Sequence, residues 1–112
     1  MKKTITGIGV SGGVGDGILR RWSGKHDSSY SENVVVLSDL DATVAQAAIA
    51  KAIISCSGSI TSHGAILARE LEVPCVVVED AKVLERLYGS LVHVDGWNGL
   101  IEYSLLSENE TD

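Results

Sequence analysis

Residues 52–78 read AIISCSGSITSHGAILARELEVPCVVV, and the order of features in this stretch decides the fold class. Ala52-Ile53-Ile54 is a short, wholly apolar run of the kind that forms a strand buried on both faces. After a loop, Thr61 and Ser62 stand at the head of an apolar-periodic stretch, where hydroxyl residues are expected to cap a helix. Leu67, Ala68 and Leu71 are expected to face inward along that helix. Pro74 lies just beyond its end, where proline stops a helix, and Cys75 to Val78 forms the next buried strand. A strand, a helix and a strand in this order make a parallel crossover. One histidine, His63, falls at the helix start.

Further out, Val34 to Leu37 is another buried run, followed by Asp39 or Asp41 as a cap and a helix with Val44, Ala45, Ala48 and Ile49 on one face. Downstream, Asp80 caps a helix to Leu87, which Gly89 ends. The flanks differ in character. Thr4–Val10 and Val14–Trp22 read as strands, the second broken by Gly15 and Gly17. Leu91–Val94 and Leu100–Tyr103 flank an Asp95–Gly99 turn, and Asp95 is read as making that turn with Gly96. Residues 23–33 are polar and turn-rich and read as a surface loop. The middle predicts a parallel sheet and the ends predict antiparallel hairpin strands, so the class is α/β. Residues 1–106 form one domain, and the polar, acidic segment 107–112 reads as a disordered tail.

Composition narrows the function. The chain has 112 residues, 45% of them hydrophobic and none of them Phe, so its core is aliphatic. A net charge of −6 argues against a nucleic-acid or anionic-membrane surface, both of which need clustered Lys and Arg. No apolar run reaches the roughly 18–20 residues of a membrane helix, and Met1-Lys2-Lys3 is not followed by a signal-peptide pattern. The two cysteines, Cys56 and Cys75, read as small buried residues of a cytoplasmic protein. His26 and His93 read as structural or solvated. Gly7-x-Gly9-x-x-Gly12 fits the spacing of a dinucleotide fingerprint, but Gly13, Gly15 and Gly17 follow where a helix would have to open. There is no Gly-Lys-Ser/Thr phosphate loop and no metal-ligand spacing, so neither nucleotide nor metal is expected on this chain.

His63 is the residue that points to chemistry. Helix N-termini carry unsatisfied N–H groups and a partial positive charge, and so hold anions, phosphate above all. The same field disfavours imidazolium and would stabilise a phosphoryl group formed on the ring.

With Gly58, Thr61, Ser62, His63, Ala65, Ile66, Ala68, Arg69 and Pro74 in place, and Val76 to Val78 as the closing strand, the stretch resembles the signature of the phosphohistidine swivelling domain. This is the mobile domain of phosphoenolpyruvate-utilising enzymes such as phosphoenolpyruvate synthase, pyruvate phosphate dikinase and rifampin phosphotransferase. Val94-Asp95-Gly96-Trp97-Asn98-Gly99-Leu100-Ile101 resembles the family's closing turn, and Gly7 to Val14 its opening segment. Ser59 stands where the family has a second glycine, and Gly12 where it has a proline.

The resemblance implies a three-layer β/β/α swivelling domain with a central parallel sheet and a second, antiparallel sheet. It implies that His63 accepts a phosphoryl group beside Thr61 and Ser62, while Gly58, Gly64 and Arg69 meet the phosphoryl group or a partner. Gly58 is read as a loop glycine with little part in packing, and Gly64 either as room beside the histidine for a partner's close approach or as neutral variation. The chain would then be the phosphocarrier of a split dikinase-type phosphotransferase, inactive alone. Its partners would be separately encoded ATP-grasp and phosphoenolpyruvate-binding or acceptor-substrate subunits, and Mg²⁺ would be needed only with those partners. The alternative is a non-catalytic regulatory or binding module that kept the fold. The residues fix neither the donor, ATP or phosphoenolpyruvate, nor the acceptor.

Overall fold

The computed structural model describes residues 2–25 and 27–104. The readings of His26 and of the 107–112 tail fall outside these residues. Eight strands form one hydrogen-bonded sheet in the order β1-β8-β7-β3-β4-β5-β6-β2. They are β1 (Lys2–Thr6), β2 (Ile8–Ser11), β3 (Val14–Arg21), β4 (Asn33–Leu37), β5 (Ala52–Ser55), β6 (Cys75–Val77), β7 (Leu91–Asp95) and β8 (Leu100–Ser104). The middle strands β3, β4, β5 and β6 run parallel, while β7, β8, β1 and β2 add antiparallel ladders.

Alternation along the middle strands sends side chains to two separate cores. Val35, Leu37, Ile53, Cys75 and Val77 face a cluster closed by Val44 and Ala47 of helix α1 (Val44–Ala47) and Ala65 and Ala68 of helix α2 (His63–Glu70). Val34, Val36, Ile54 and Val76 face the other cluster, closed by Val92, Val94 and Ile101 of the antiparallel wing and by Leu84 of helix α3 (Lys82–Glu85). The wing therefore folds over the face of the parallel strands that the first two helices leave open. This is the β/β/α layering expected of the chain.

The expected strand Thr4–Val10 is divided at Gly7, and its halves lie on opposite edges of the sheet: β1 pairs with β8 and β2 with β6. Two edge strands joined by a single residue force the sheet to curl until its edges meet. A Cβ on Gly7 would lie 2.3 Å from the Val77 carbonyl oxygen, and the Gly7 N–H donates to Gly99 O at 2.7 Å. A side chain at the crossing would block that closure.

Three smaller expectations are corrected. The 23–33 segment contains a 3₁₀ turn, Ser28–Glu32, whose Tyr30 is buried. Its ring lies 4.8 Å from that of Trp22, and its hydroxyl accepts from Ser23 N at 2.9 Å. Leu71 and Ile49 are exposed, because α2 buries its small face, Gly64, Ala65 and Ala68, and α1 is a single turn. Small residues on that face let α2 sit close to the sheet.

Candidate functional site

The parallel strands β4 and β5 end side by side at Leu37 and Ser55, and the loops leaving them build the site. This is the carboxyl edge of the sheet, where α/β folds place their ligands. Ser55 Oγ donates to Ser57 O at 2.6 Å. The Ser57 hydroxyl sits between Ser38 O and the Asp39 carboxylate, which ties the two loops together. Gly58 then turns with φ +118°, a region L side chains avoid, and a Cβ there would lie 2.9 Å from the Leu40 side chain. Leu40 belongs to the first core. Gly58 is thus a packing glycine, which corrects the reading that it contributes little.

The next four residues form a closed turn. Ser59 N donates to Ser62 Oγ at 2.8 Å, and Ser62 N donates to Ser59 O at 3.0 Å. Ser59 Oγ and Thr61 Oγ1 share a hydrogen bond of 3.1 Å. Ser62 is the N-cap of α2, but its hydroxyl makes no capping bond and serves the turn behind it. The expected Thr61/Ser62 hydroxyl cap is corrected accordingly, since the cap comes from another loop: Gly64 N donates to Leu40 O at 3.1 Å. Ile66 N takes Ser62 O. The N–H groups of His63 and Ala65 have no acceptor among the described residues. That of the exposed His63 is available to an anion at the helix start, whereas Ala65 is buried.

His63 is the first residue of α2 and is exposed, with exposed Thr61 and half-buried Ser62 immediately before it. Gly64 is buried, and a Cβ there would lie 2.5 Å from Leu40 C and 2.7 Å from Asp41 N. The space beside it is filled by the chain's own β4–α1 loop, which corrects the reading of Gly64 as room for a partner. Arg69 lies six residues on and reaches back: Nη1 donates to Val10 O at 2.7 Å and Nη2 to Ile60 O at 2.9 Å. Its fork clasps the loop before His63 to β2. The structure thus gathers Gly58, Thr61, Ser62, His63 and Gly64 at one helix start, with Arg69 holding the loop from behind.

Asp41 is the neighbour that sequence reasoning passed over as a helix cap. Its carboxyl is held below the usual carboxylate range, chiefly by hydrogen bonds from Thr43 and to a smaller extent by a positive charge on His63. The readable signal was an aspartate just beyond the carboxyl end of a parallel strand, next to the strand that feeds the histidine helix. Beside it a cleft of about 300 Å³ opens between Arg21, Trp22, Asp39, Cys56 and Tyr88.

The other singled-out residues lie elsewhere. His93 pairs with Asp16 on the antiparallel wing. Burial pushes the Cys75 thiol up to about 12 and raises that of Cys56, so both are poor nucleophiles at neutral pH. Among the described residues no group of three or more His, Cys, Asp or Glu side chains is placed to hold a metal ion, and no helix is long and apolar enough to cross a membrane.

Comparison with known proteins agrees with this geometry. Residues 30–99 match the profile of a family described as "PEP-utilising enzyme, mobile domain". The chain is 31% identical over 100 residues to the phosphoenolpyruvate synthase of Pyrococcus furiosus, covering 87% of this chain and 12% of that protein. It therefore spans about one eighth of that relative's length. Among solved structures it resembles the N-terminal domain of Enzyme 1 - Nitrogen, with a TM-score of 0.54 and 26% identity over 70% of this chain and 36% of that one. It also shares its fold with a chain of Thermococcus kodakaraensis aconitase X, with a TM-score of 0.66 and 18% identity over 92% of this chain and 99% of that one.

Proposed function

This chain belongs to the family of PEP-utilising enzyme mobile domains, and on that premise we propose that it is a phosphocarrier that takes a phosphoryl group on His63 and passes it on. The observation that carries the reading is the placement of His63: an exposed imidazole on the first residue of α2, beside two N–H groups without acceptors. A ring nitrogen attacks the donor phosphorus, a P–N bond forms, and the donor's P–O bond breaks with the leaving group keeping the electron pair. The His63 N–H and the helix field meet the charge that arrives with the phosphoryl oxygens. Transfer onward reverses the step at another site.

Phosphoryl transfer is catalysed by positioning and by cationic and Mg²⁺ clamps on the phosphates. Near His63 the chain offers a carboxylate, Asp41, and an Arg69 already engaged by two carbonyls. The clamps, and the Mg²⁺, are accordingly assigned to donor and acceptor sites on polypeptide outside these 112 residues. Such sites would cover the surface around His63, which includes the exposed Ile60 and Ile66. The reading gives Thr61, whose hydroxyl lies on the turn before the histidine, the role of orienting the ring or its phosphoryl group.

The test is a pulse and chase. The chain is incubated in extract of its source cells with ³²P-labelled ATP or, separately, ³²P-labelled phosphoenolpyruvate, followed by an excess of unlabelled donor. Label should enter the wild-type chain from one donor and leave it during the chase, and it should be absent from His63→Ala. A chain that is never labelled by either donor contradicts the carrier reading and favours a module that kept the fold without the transfer.

A further inference from the structure

The cleft of about 300 Å³ beside Asp41 has no part in the reaction assigned to His63. It opens at the carboxyl ends of the parallel strands, where α/β folds place ligands. Its apolar lining comes from both layers. Leu37 lies in the first core cluster and Trp22 packs against it, while Val36 lies in the second, with Cys56 and Tyr88 packed against that one. The cleft therefore straddles the edge of the sheet. Its volume stands at the small end of ligand pockets, room for a metabolite and not for a helix or a strand.

Three charged side chains line it: Arg21, Asp39 and Asp41. The Arg21 guanidinium lies 5.6 Å from the centre of the Tyr88 ring. Asp39 accepts from the Ser57 hydroxyl, and Asp41 accepts from Thr43 N at 2.9 Å. None of the three forms an ion pair among the described residues. A carboxylate has about four acceptor sites, so both aspartates keep capacity for a ligand. The Cys56 thiol feels both Arg21 and Asp39, so these two opposite charges flank one point of the cleft. Asp41 lies on the helix side, where its backbone N would stand 2.7 Å from a Cβ on Gly64.

One cation and two carboxylates disfavour a phosphorylated or dicarboxylic ligand, and they match a molecule with one carboxylate and two cations. An amino acid carries its α-carboxylate and α-ammonium on one carbon, as Arg21 and Asp39 flank Cys56. A second cation on an apolar stem would meet Asp41, and such stems pack well on apolar surface. We propose that this cleft binds a free basic amino acid of the lysine or arginine type, with its α-carboxylate on Arg21, its α-ammonium on Asp39 and its terminal cation on Asp41. The stem lies along Trp22 and Leu37. Because Leu40 and Asp41 press on Gly64, an occupied cleft bears on the start of α2. The inference does not rest on the phosphocarrier reading, since binding is measured without a phosphoryl donor.

Amide NMR titrations of the full chain with L-lysine and L-arginine test it. Three relatives of lysine are titrated beside them: norleucine lacks the terminal ammonium, cadaverine lacks the carboxylate, and Nα-acetyllysine lacks the α-ammonium. Lysine or arginine should shift the amides of Arg21, Trp22, Asp39, Asp41 and Gly64 and leave those of His93 and Glu102 in place. Each relative should bind about tenfold more weakly than lysine. Arg21→Gln, Asp39→Asn and Asp41→Asn, each verified as folded by dispersed core signals, should weaken lysine by a similar factor. Arg21→Gln should leave cadaverine binding as in the wild type, and Asp41→Asn should leave norleucine binding so. No saturable shift with either amino acid at tens of millimolar, or shifts confined to residues outside the cleft, would overturn the proposal. Relatives that bind as tightly as lysine would also overturn it, by showing that the cleft does not read this pattern of charge.

Discussion

The guanidinium of Arg69 donates to the carbonyl of Ile60 at 2.9 Å, so a side chain nearly two turns down α2 holds the loop that presents the histidine. Its second nitrogen takes Val10 O at 2.7 Å, which anchors the pair to an edge strand. A planar fork spans two carbonyls in a way that an ammonium or an amide cannot. Arg69→Gln should therefore cost about 1.5–3 kcal/mol. Amide exchange at residues 59–62 should accelerate while the protection of β4 and β5 persists. Hydrogen exchange followed by mass spectrometry measures this, and unchanged exchange in the loop would show that the clasp holds nothing.

Gly64 gives a second prediction. A Cβ on it would press on the Leu40–Asp41 backbone at 2.5–2.8 Å, and backbone cannot yield as a flexible side chain would. Gly64→Ala should destabilise by roughly 1–3 kcal/mol and shift the Asp41 and Thr43 amides. Ala65→Gly, one position on, creates no clash and should leave the Asp41 amide in place. Denaturant melts with amide spectra separate the two outcomes.

The carboxyls of Asp27, Asp41 and Asp95 are held below the usual range, first of all by hydrogen bonds from Ser29, Thr43 and Asn98 respectively. A folded value below the unfolded one gives stability that is present above about pH 4 and lost as the pH falls through the folded values. Asp27 and Asp41 are exposed and Asp95 is half-buried at a strand end, so each effect is small. Cys75 acts at the other end. Its thiol is raised from 9.0 to about 12 by burial, so stability is complete below pH 9 and declines as the pH rises toward 12. The alkaline slope of the melting temperature should flatten in Cys75→Ala. A slope that persists would assign the effect to another group.

Glu72 has φ +58°, the one positive φ among non-glycine described residues. It closes α2: Val73 N donates to Ala68 O at 3.0 Å across it, the arrangement that usually places glycine there. Glu72→Gly should stabilise the chain by about 0.5–1 kcal/mol, raising the melting temperature by a few degrees. A lower melting temperature would mean that the Glu72 side chain makes a contribution larger than its backbone strain.

The buried strands were legible because their residues decide locally: Val34–Leu37, Ala52–Ile54 and Cys75–Val78 are apolar on both faces, and both faces are covered. The division at Gly7 was not legible. The alternation of Thr4–Val10 runs through it, and the cause is a close approach to Val77 O and Gly99 that exists only in the closed fold. Tyr30 was hidden in a polar loop because one aromatic has no period. At the site, His63 and its turn could be read from spacing and resemblance. The contact of Gly64 with Leu40, and the nearness of Asp41, depend on two crossovers lying side by side. Ser62 was read as a hydroxyl cap because helix-start statistics cannot say whether a hydroxyl faces the helix or the turn behind it.

The central claim is that His63 carries the phosphoryl group, and peptide mass spectrometry of the labelled chain tests it most directly. After incubation with donor and source-cell extract, the chain is digested and analysed at neutral to alkaline pH, where a P–N bond survives. The account predicts one modified peptide containing residues 59–69, with the phosphoryl group on His63, lost on brief acid treatment and absent from His63→Ala. Acid-stable label on Thr61, Ser62 or any other hydroxyl, or label retained in His63→Ala, would contradict it.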